Sequence, residues 1–203
     1  MEGAERGEPT MKYGEVCSGY GGLSLAIEEA FPGAELAWYS EYEEAPSKIM
    51  AEHWPGVPNH GDMTAIDWAA VEPVELISGG TPCQDLSHAG RRRGMTEGTR
   101  SNLWVCMREA IAIIKPTYVV WENVRGAYSA CADSEIDRDL GRCPRCLDPK
   151  SGARHAPNLR ALGRVLGDLS SLGFDAEWRG LRAADVGAPH GRFRVFVLAR
   201  RRD

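Results

Sequence analysis

The chain has 203 residues, of which 43% are hydrophobic and 26% charged, with a formal net charge of −5 and six cysteines. These values fit one globular domain with enough apolar surface to fold without covalent staples, and they argue against wholesale disorder and a disulfide scaffold. The acidic balance excludes a broadly basic, nonspecific polynucleotide coat. No apolar run approaches a membrane span of about 20 residues.

Residues 1–11 are expected to be a flexible, polar tail without an apolar signal core. Residues 12–17 read as a short strand entering the turn Ser18-Gly19-Tyr20-Gly21-Gly22. Leu23, Ala26, Ile27 and Ala30 then fall at helical spacing, which predicts a helix over 22–31, ended by Pro32-Gly33. A strand is expected at 34–40, a helix at 43–53 and a third strand ending near Asp62. Residues 73–78 read as a buried strand that stops at Gly79-Gly80. A helix over 101–114 and a strand over 117–121 follow. The segment 129–157 breaks the alternation and reads as an inserted loop. Residues 159–172 are amphipathic, and 193–199 form a last strand. Strands alternating with helices imply an α/β fold, Rossmann-like, with a mostly parallel sheet and helices on both faces. Ligands of such sheets bind outside the carboxyl ends of the strands, where the unusual local sequences fall.

Glycines in the first turn allow close backbone approach to a ligand at a helix N-terminus. Glu41 lies about 20 residues farther on, where a carboxylate can accept ribose hydroxyls. Asp62 and its neighbour Met63 sit at another strand end, where a carboxylate can accept an exocyclic amine or close a turn. Thr81-Pro82-Cys83-Gln84 presents a thiol directly after an apolar strand, at the edge of a cleft, where it can serve as a nucleophile. Arg91, Arg92, Arg93 and Arg100 follow, suited to a phosphate-bearing substrate. Glu122, in Trp121-Glu122-Asn123-Val124, is expected at the same sheet edge as Cys83, as a proton donor to a base nitrogen. Strand alternation sends Arg192 and Arg194 to one face, where they can hold a carbonyl or a phosphate.

These stretches, in this order, resemble the C5-cytosine DNA methyltransferase family over about residues 12–126 and 180–199. The glycine turn resembles the family's S-adenosylmethionine loop, and Glu41 and Gly61-Asp62 its ribose and adenine contacts. Pro82-Cys83-Gln84, Arg100-Ser101-Asn102-Leu103-Trp104, Glu122-Asn123-Val124 and Arg192-Phe193-Arg194 resemble later family motifs. The resemblance implies methyl transfer from S-adenosyl-L-methionine to C5 of a flipped-out cytosine in double-stranded DNA. Cys83 would attack C6, Glu122 would act at N3, and Arg192 would hold the cytosine carbonyl with Arg194 supporting it. Ser18, Gly19, Tyr20, Gly21, Gly22, Glu41, Asp62, Met63, Pro82, Asn102 and Leu103 would line the cofactor pocket.

This chain has Cys17 where the family usually has Phe, and His190 where it usually has Gln. Residues 12–203 are expected to be the catalytic domain alone, cytoplasmic and without an evident target-recognition module. Two alternatives stay open: an RNA cytosine-C5 methyltransferase, and a subunit whose partner chain supplies target recognition. Cys131, Cys143, Cys146 and His155 are the donor types of a tetrahedral zinc site, but a second C-x-x-C pair is missing. The expectation there is a loop with free thiols and no metal.

Overall fold

The computed structural model describes residues 11–81, 103–128, 131–132 and 159–202. Strand β1 (Met11–Val16) leads through the glycine turn into helix α1 (Gly22–Ala30), strand β2 (Ala34–Ser40) and helix α2 (Glu44–His53). Strand β3 (Leu76–Gly79), helix α3 (Leu103–Ile114) and strand β4 (Tyr118–Val124) follow. A single 3-10 turn, Arg125–Tyr128, leaves β4. The short strands β5 (Cys131–Ala132) and β6 (Leu159–Arg160) precede helix α4 (Ala161–Ser171), strand β7 (Phe174–Arg182) and strand β8 (Phe193–Arg201).

The main sheet has six strands in the order β2-β1-β3-β4-β8-β7. Strands β2, β1, β3 and β4 pair in parallel, whereas β8 runs antiparallel to both β4 and β7. The chain steps outward from β1 in both directions. The loops after β1 and β3 therefore diverge and open a crevice at the strands' carboxyl ends, the usual ligand position in open α/β sheets.

Each face carries its own core. Tyr13, Leu36 and Leu76 pack with Ile27 of α1 and Met50 of α2 on one side. On the other side Ile77, Val119, Trp121, Val195 and Val197 pack with Trp104 and Met107 of α3 and Val165 and Leu169 of α4. Helix α3 buries Trp104, Met107, Ala110 and Ile111, a three-four spacing that aims one stripe at the sheet. Full burial of each large side chain stabilises by about 1.5–3 kcal/mol. Gly14 makes room for the fully buried Trp38, since a Cβ there would stand 2.2 Å from Trp38 Cζ2. The β1–β2 register shifts between Tyr13 and Gly14, at this same place.

Three expectations change. No strand ends at Asp62: Tyr39 and Asn59 make one isolated parallel bridge, and the rest of 54–75 is loop and turn. Pro55 and Pro58 lack the amide that a ladder needs. Strand β7 had no counterpart in the sequence reading. It is an edge strand, exposed along most of its length, so it carries no simple apolar alternation. Strand β4 runs on to Val124, so Glu122 lies within it rather than past its end. The expected insertion at 129–157 leaves and returns through the antiparallel β5–β6 pair, and its remaining residues lie outside the described ones. Among the described residues, no helix is long and apolar enough to cross a membrane.

Candidate active site

The turn after β1 is built by backbone geometry. Cys17, Gly19 and Gly21 adopt left-handed conformations, with φ of 51°, 55° and 77°. A side chain at Gly21 would also meet the Trp54 ring at 2.5 Å, so the turn presses directly on that indole. Trp54 is held by Nε1 donating to Glu28 Oε1 at 2.7 Å, and Tyr13 Oη donates to the same oxygen at 2.8 Å. At Gly19 and Gly22 a Cβ would meet nothing within 4 Å. The turn therefore has one face packed and one face open.

Glu41, just past β2, closes one side of the turn. Its Oε2 accepts from the Gly19 amide at 2.7 Å, and Oε1 accepts from the Glu43 amide at 2.8 Å. Each oxygen keeps a further lone pair for another donor. Asn59 fixes the Glu41 backbone, accepting from its amide and donating to its carbonyl. Ser18 Oγ is buried and has no hydrogen-bond partner among the described residues. Tyr20 is exposed.

Gly61-Asp62-Met63 comes to the same place although no strand delivers it. Ser40 Oγ donates to the Gly61 carbonyl at 2.7 Å, and Cys17 Sγ donates to Met63 Sδ at 3.4 Å. The Asp62 carboxylate is exposed and accepts from the Thr64 amide and hydroxyl, which lower its pKa. The turn reading of Asp62 is thus realised. Its field reaches both Cys17 and Cys106. Burial pushes the Cys17 thiol up to about 12, with Glu41 adding to the effect, so Cys17 stays a neutral packing group.

A second cluster forms where β3 meets β4. A Cβ on Gly80 would stand 3.1 Å from Glu122 Oε2, so the backbone after β3 lies directly against that carboxylate. Thr81 is buried and tied to β4 twice: Trp121 Nε1 donates to its hydroxyl at 3.0 Å, and Asn123 Nδ2 donates to its carbonyl at 3.2 Å. Strand β8 adds Arg194, whose Nε lies 2.6 Å from Glu122 Oε1. Burial raises the Glu122 pKa, while the charges of Arg194 and Arg192 oppose that rise.

Of the residues singled out in the sequence, two groups are brought together. Ser18, Gly19, Gly21, Gly22, Glu41 and Met63 share the β1 crevice, while Glu122, Arg192 and Arg194 share the β3–β4 edge. Leu103 begins α3. Pro82, Cys83 and Asn102 lie outside the described residues, as do Cys143, Cys146 and His155. Among the described residues, no group of three His, Cys, Asp or Glu could hold a metal. The sequence reading missed Gly80 and Thr81 as the link between β3 and Glu122. Their only sequence signal is their place directly before Pro82.

The first cluster fits S-adenosylmethionine, the cofactor the resemblance implies. The buried, unpartnered Ser18 hydroxyl, the open side of Gly19 and Gly22, and the spare lone pairs of Glu41 are complementary to a ligand with hydroxyl and amine groups.

Known proteins resemble this chain in sequence and in fold. A "DNA N-6-adenine-methyltransferase" of Escherichia phage P1 is 33% identical over 218 residues, covering 92% of this chain and 28% of its own length. The Type II methyltransferase M.NlaIV of Neisseria lactamica is 27% identical over 191 residues, covering 92% of this chain and 40% of its own. This chain thus spans well under half the length of either relative. Two solved structures share the fold. Dnmt2 of S. pombe has a TM-score of 0.64 at 17% identity, covering 94% of this chain and 51% of its own. The Entamoeba histolytica methyltransferase EhMeth has a TM-score of 0.67 at 17% identity, covering 95% and 53%. The profile of the C-5 cytosine-specific DNA methylase family matches residues 11–137. The chain belongs to the C-5 cytosine-specific DNA methylase family.

Proposed function

We propose that this chain transfers a methyl group from S-adenosylmethionine to C5 of a cytosine in double-stranded DNA. The observation that carries the reading is the contact of Gly80 with the Glu122 carboxylate, two residues before Pro82-Cys83-Gln84. The described chain thus reaches Pro82 alongside an acid whose pKa burial raises.

S-adenosylmethionine, when bound, supplies the activated methyl group. Ser18, the Gly19 turn, Glu41 and Asp62 hold it. Pro82, Asn102 and Leu103 complete the pocket in this reading. The Cys83 thiolate forms a bond to ring C6 of the extruded cytosine. Glu122 gives a proton to N3, or holds one in a hydrogen bond, so that the electron pair released by the attack gathers at C5. C5 would then take the methyl group as the methyl–sulfonium bond breaks, its electron pair returning to sulfur to leave S-adenosylhomocysteine. A base or water removes the C5 proton, and the electron pair of that C–H bond reforms the ring double bond as the Cys83–C6 bond breaks. Arg192 holds the cytosine carbonyl oxygen, and Arg194 keeps Glu122 oriented through their ion pair.

The phage P1 relative is named for adenine N6 chemistry. An exocyclic amine carries its own lone pair and has no need of a thiolate attached to the ring, so Pro-Cys-Gln and Glu122 favour cytosine C5. Mass spectrometry of the nucleosides after incubation with S-adenosylmethionine and duplex DNA, or RNA in parallel, separates these chemistries. The expected product is 5-methylcytosine in DNA. N6-methyladenine in its place, or 5-methylcytosine in RNA alone, would overturn the reading.

A further inference from the structure

At the carboxyl end of β4, the 3-10 turn Arg125–Tyr128 and the start of β8 build an aromatic platform. The Phe193 ring lies against Tyr128, with ring centroids 6.3 Å apart. It crosses directly over Gly180 of β7, where a Cβ would stand 2.2 Å from Phe193 Cζ. Only a glycine leaves room for the ring, so the seat is made by the sequence of the neighbouring strand. The Arg125 guanidinium lies over the Phe193 ring, 5.7 Å from its centroid. Stacking on a ring holds a guanidinium in place while its N–H donors stay available at the edge.

A second cation joins the same turn. Arg160, exposed at the end of β6, donates from Nη1 to the Tyr128 carbonyl at 3.2 Å. Arg125 is exposed too, and among the described residues no carboxylate pairs with either guanidinium. By contrast Arg108, Arg164, Arg194 and Arg202 each have an Asp or Glu partner. Trp178 stands half-exposed on β7, two residues from Gly180 and on the same face of the strand. Two unneutralised guanidinium groups, one stacked on a ring and beside further exposed aromatic surface, suit a polyanion with flat bases.

We propose that Arg125 and Arg160, at the Tyr128–Phe193–Gly180 platform, bind backbone phosphates of the nucleic acid that carries the target cytosine. The inference rests on the DNA reading above and adds to it a phosphate site outside the reacting residues. Arg125 closely follows Glu122 in the chain, and Phe193 stands between Arg192 and Arg194. A phosphate held here would fix the strand in register with the cleft without touching the reacting ring.

The test is the salt dependence of binding to a fluorescent duplex, measured for the wild-type chain, Arg125→Ala, Arg160→Ala, the double variant and Lys48→Ala as a surface control. Thermal unfolding and S-adenosylhomocysteine binding are measured on the same samples. Each phosphate that an alanine leaves without its guanidinium should reduce the slope of log K against log salt by about 0.9. The double variant should therefore be shallower by about 1.8 in slope, with unfolding and S-adenosylhomocysteine affinity unchanged, and Lys48→Ala should match the wild type. Arg125→Lys should keep the slope and lose part of the affinity, since an ammonium stacks less well. A double variant with the wild-type slope, in a protein that methylates DNA, overturns this inference alone. A wild-type chain that neither binds nor methylates duplex DNA overturns the DNA reading with it.

Discussion

At Glu122, two opposing effects meet on one carboxyl. Burial favours its neutral form, and the Arg194 and Arg192 charges favour the anion. Burial wins, so this carboxyl keeps its proton to higher pH than an ordinary glutamate does. Glu122→Gln should lower the methyl-transfer rate by about 10²–10⁴-fold, the usual contribution of a positioned acid, and leave S-adenosylhomocysteine binding intact in calorimetry. Arg194→Met removes a charge that lowers the Glu122 pKa. The alkaline limb of the rate profile, which reports loss of the Glu122 proton, should therefore move to higher pH in that variant. Glu15 is a second buried carboxyl, on β1 beneath the glycine turn. It accepts from the Ser24 hydroxyl and backbone amide in the first turn of α1, while burial raises its pKa to about 7 against the partial offset of those bonds. Glu41 and Glu28 add repulsion. The folded chain thus keeps a proton that the unfolded chain has released, and stability falls as pH climbs from the ordinary carboxylate range to about 7. Glu15→Gln should flatten that fall in urea unfolding followed across this window, and an unchanged slope would mean that Glu15 is charged throughout. Glu122, Arg192 and Arg194 stood out in the sequence because a Glu and paired Arg near strand ends are chemically conspicuous, and the structure brings these three together, whereas Cys83 lies outside the described residues. Glu15 and Thr81 did not stand out, since their roles come from burial and from hydrogen bonds across 9 and 40 positions of sequence.

The elements read best were those with one buried stripe. Helix α3 and strands β1 and β2 carry apolar residues at the period of their structure, so their ranges agree with the sequence within a residue or two at each described end. Strand β7 shows the opposite case. Asp175, Glu177 and Arg179 face outward, but Trp178 on the other face is half-exposed as well, so the alternation that marks a strand is weak. Its pairing with β8 holds it in place, a long-range cause that no local window contains. The stretch before Asp62 failed as a strand for a local reason, its two prolines, yet Asp62 still arrives beside Cys17 through the Ser40–Gly61 and Cys17–Met63 contacts. Gly14 makes the packing of β1 against β2 testable. Gly14→Ala places a methyl within the Trp38 ring, where the fully buried indole has no room to yield. Overpacking of this kind costs about 1–3 kcal/mol, and urea unfolding should show a loss of that size. A cost below ~0.5 kcal/mol, within the range of ordinary surface changes, would mean that Trp38 can move aside.

The whole molecule places two half-sites on one sheet edge. The crevice after β1 has an open glycine turn, an unpartnered buried hydroxyl and a carboxylate with spare lone pairs. One strand position away, β3 and β4 bring Gly80 against Glu122 under the charge of Arg194. Binding a nucleoside cofactor in the first and a base in the second sets them side by side, which is the arrangement group transfer needs. The net charge of −5 leaves attraction for a polyanion to local clusters, Arg125 and Arg160 among them. In the proposed reaction, Cys83 attacks a cytosine next to Glu122. Its most direct test is to incubate the chain and S-adenosylmethionine with duplex DNA containing 5-fluorocytosine, whose fluorine blocks removal of the C5 substituent. The expected result is a denaturant-stable protein–DNA adduct, mapped by peptide mass spectrometry to Cys83 and absent from Cys83→Ala. An adduct on another residue, or methyl transfer to ordinary cytosine by Cys83→Ala at the wild-type rate, would contradict it.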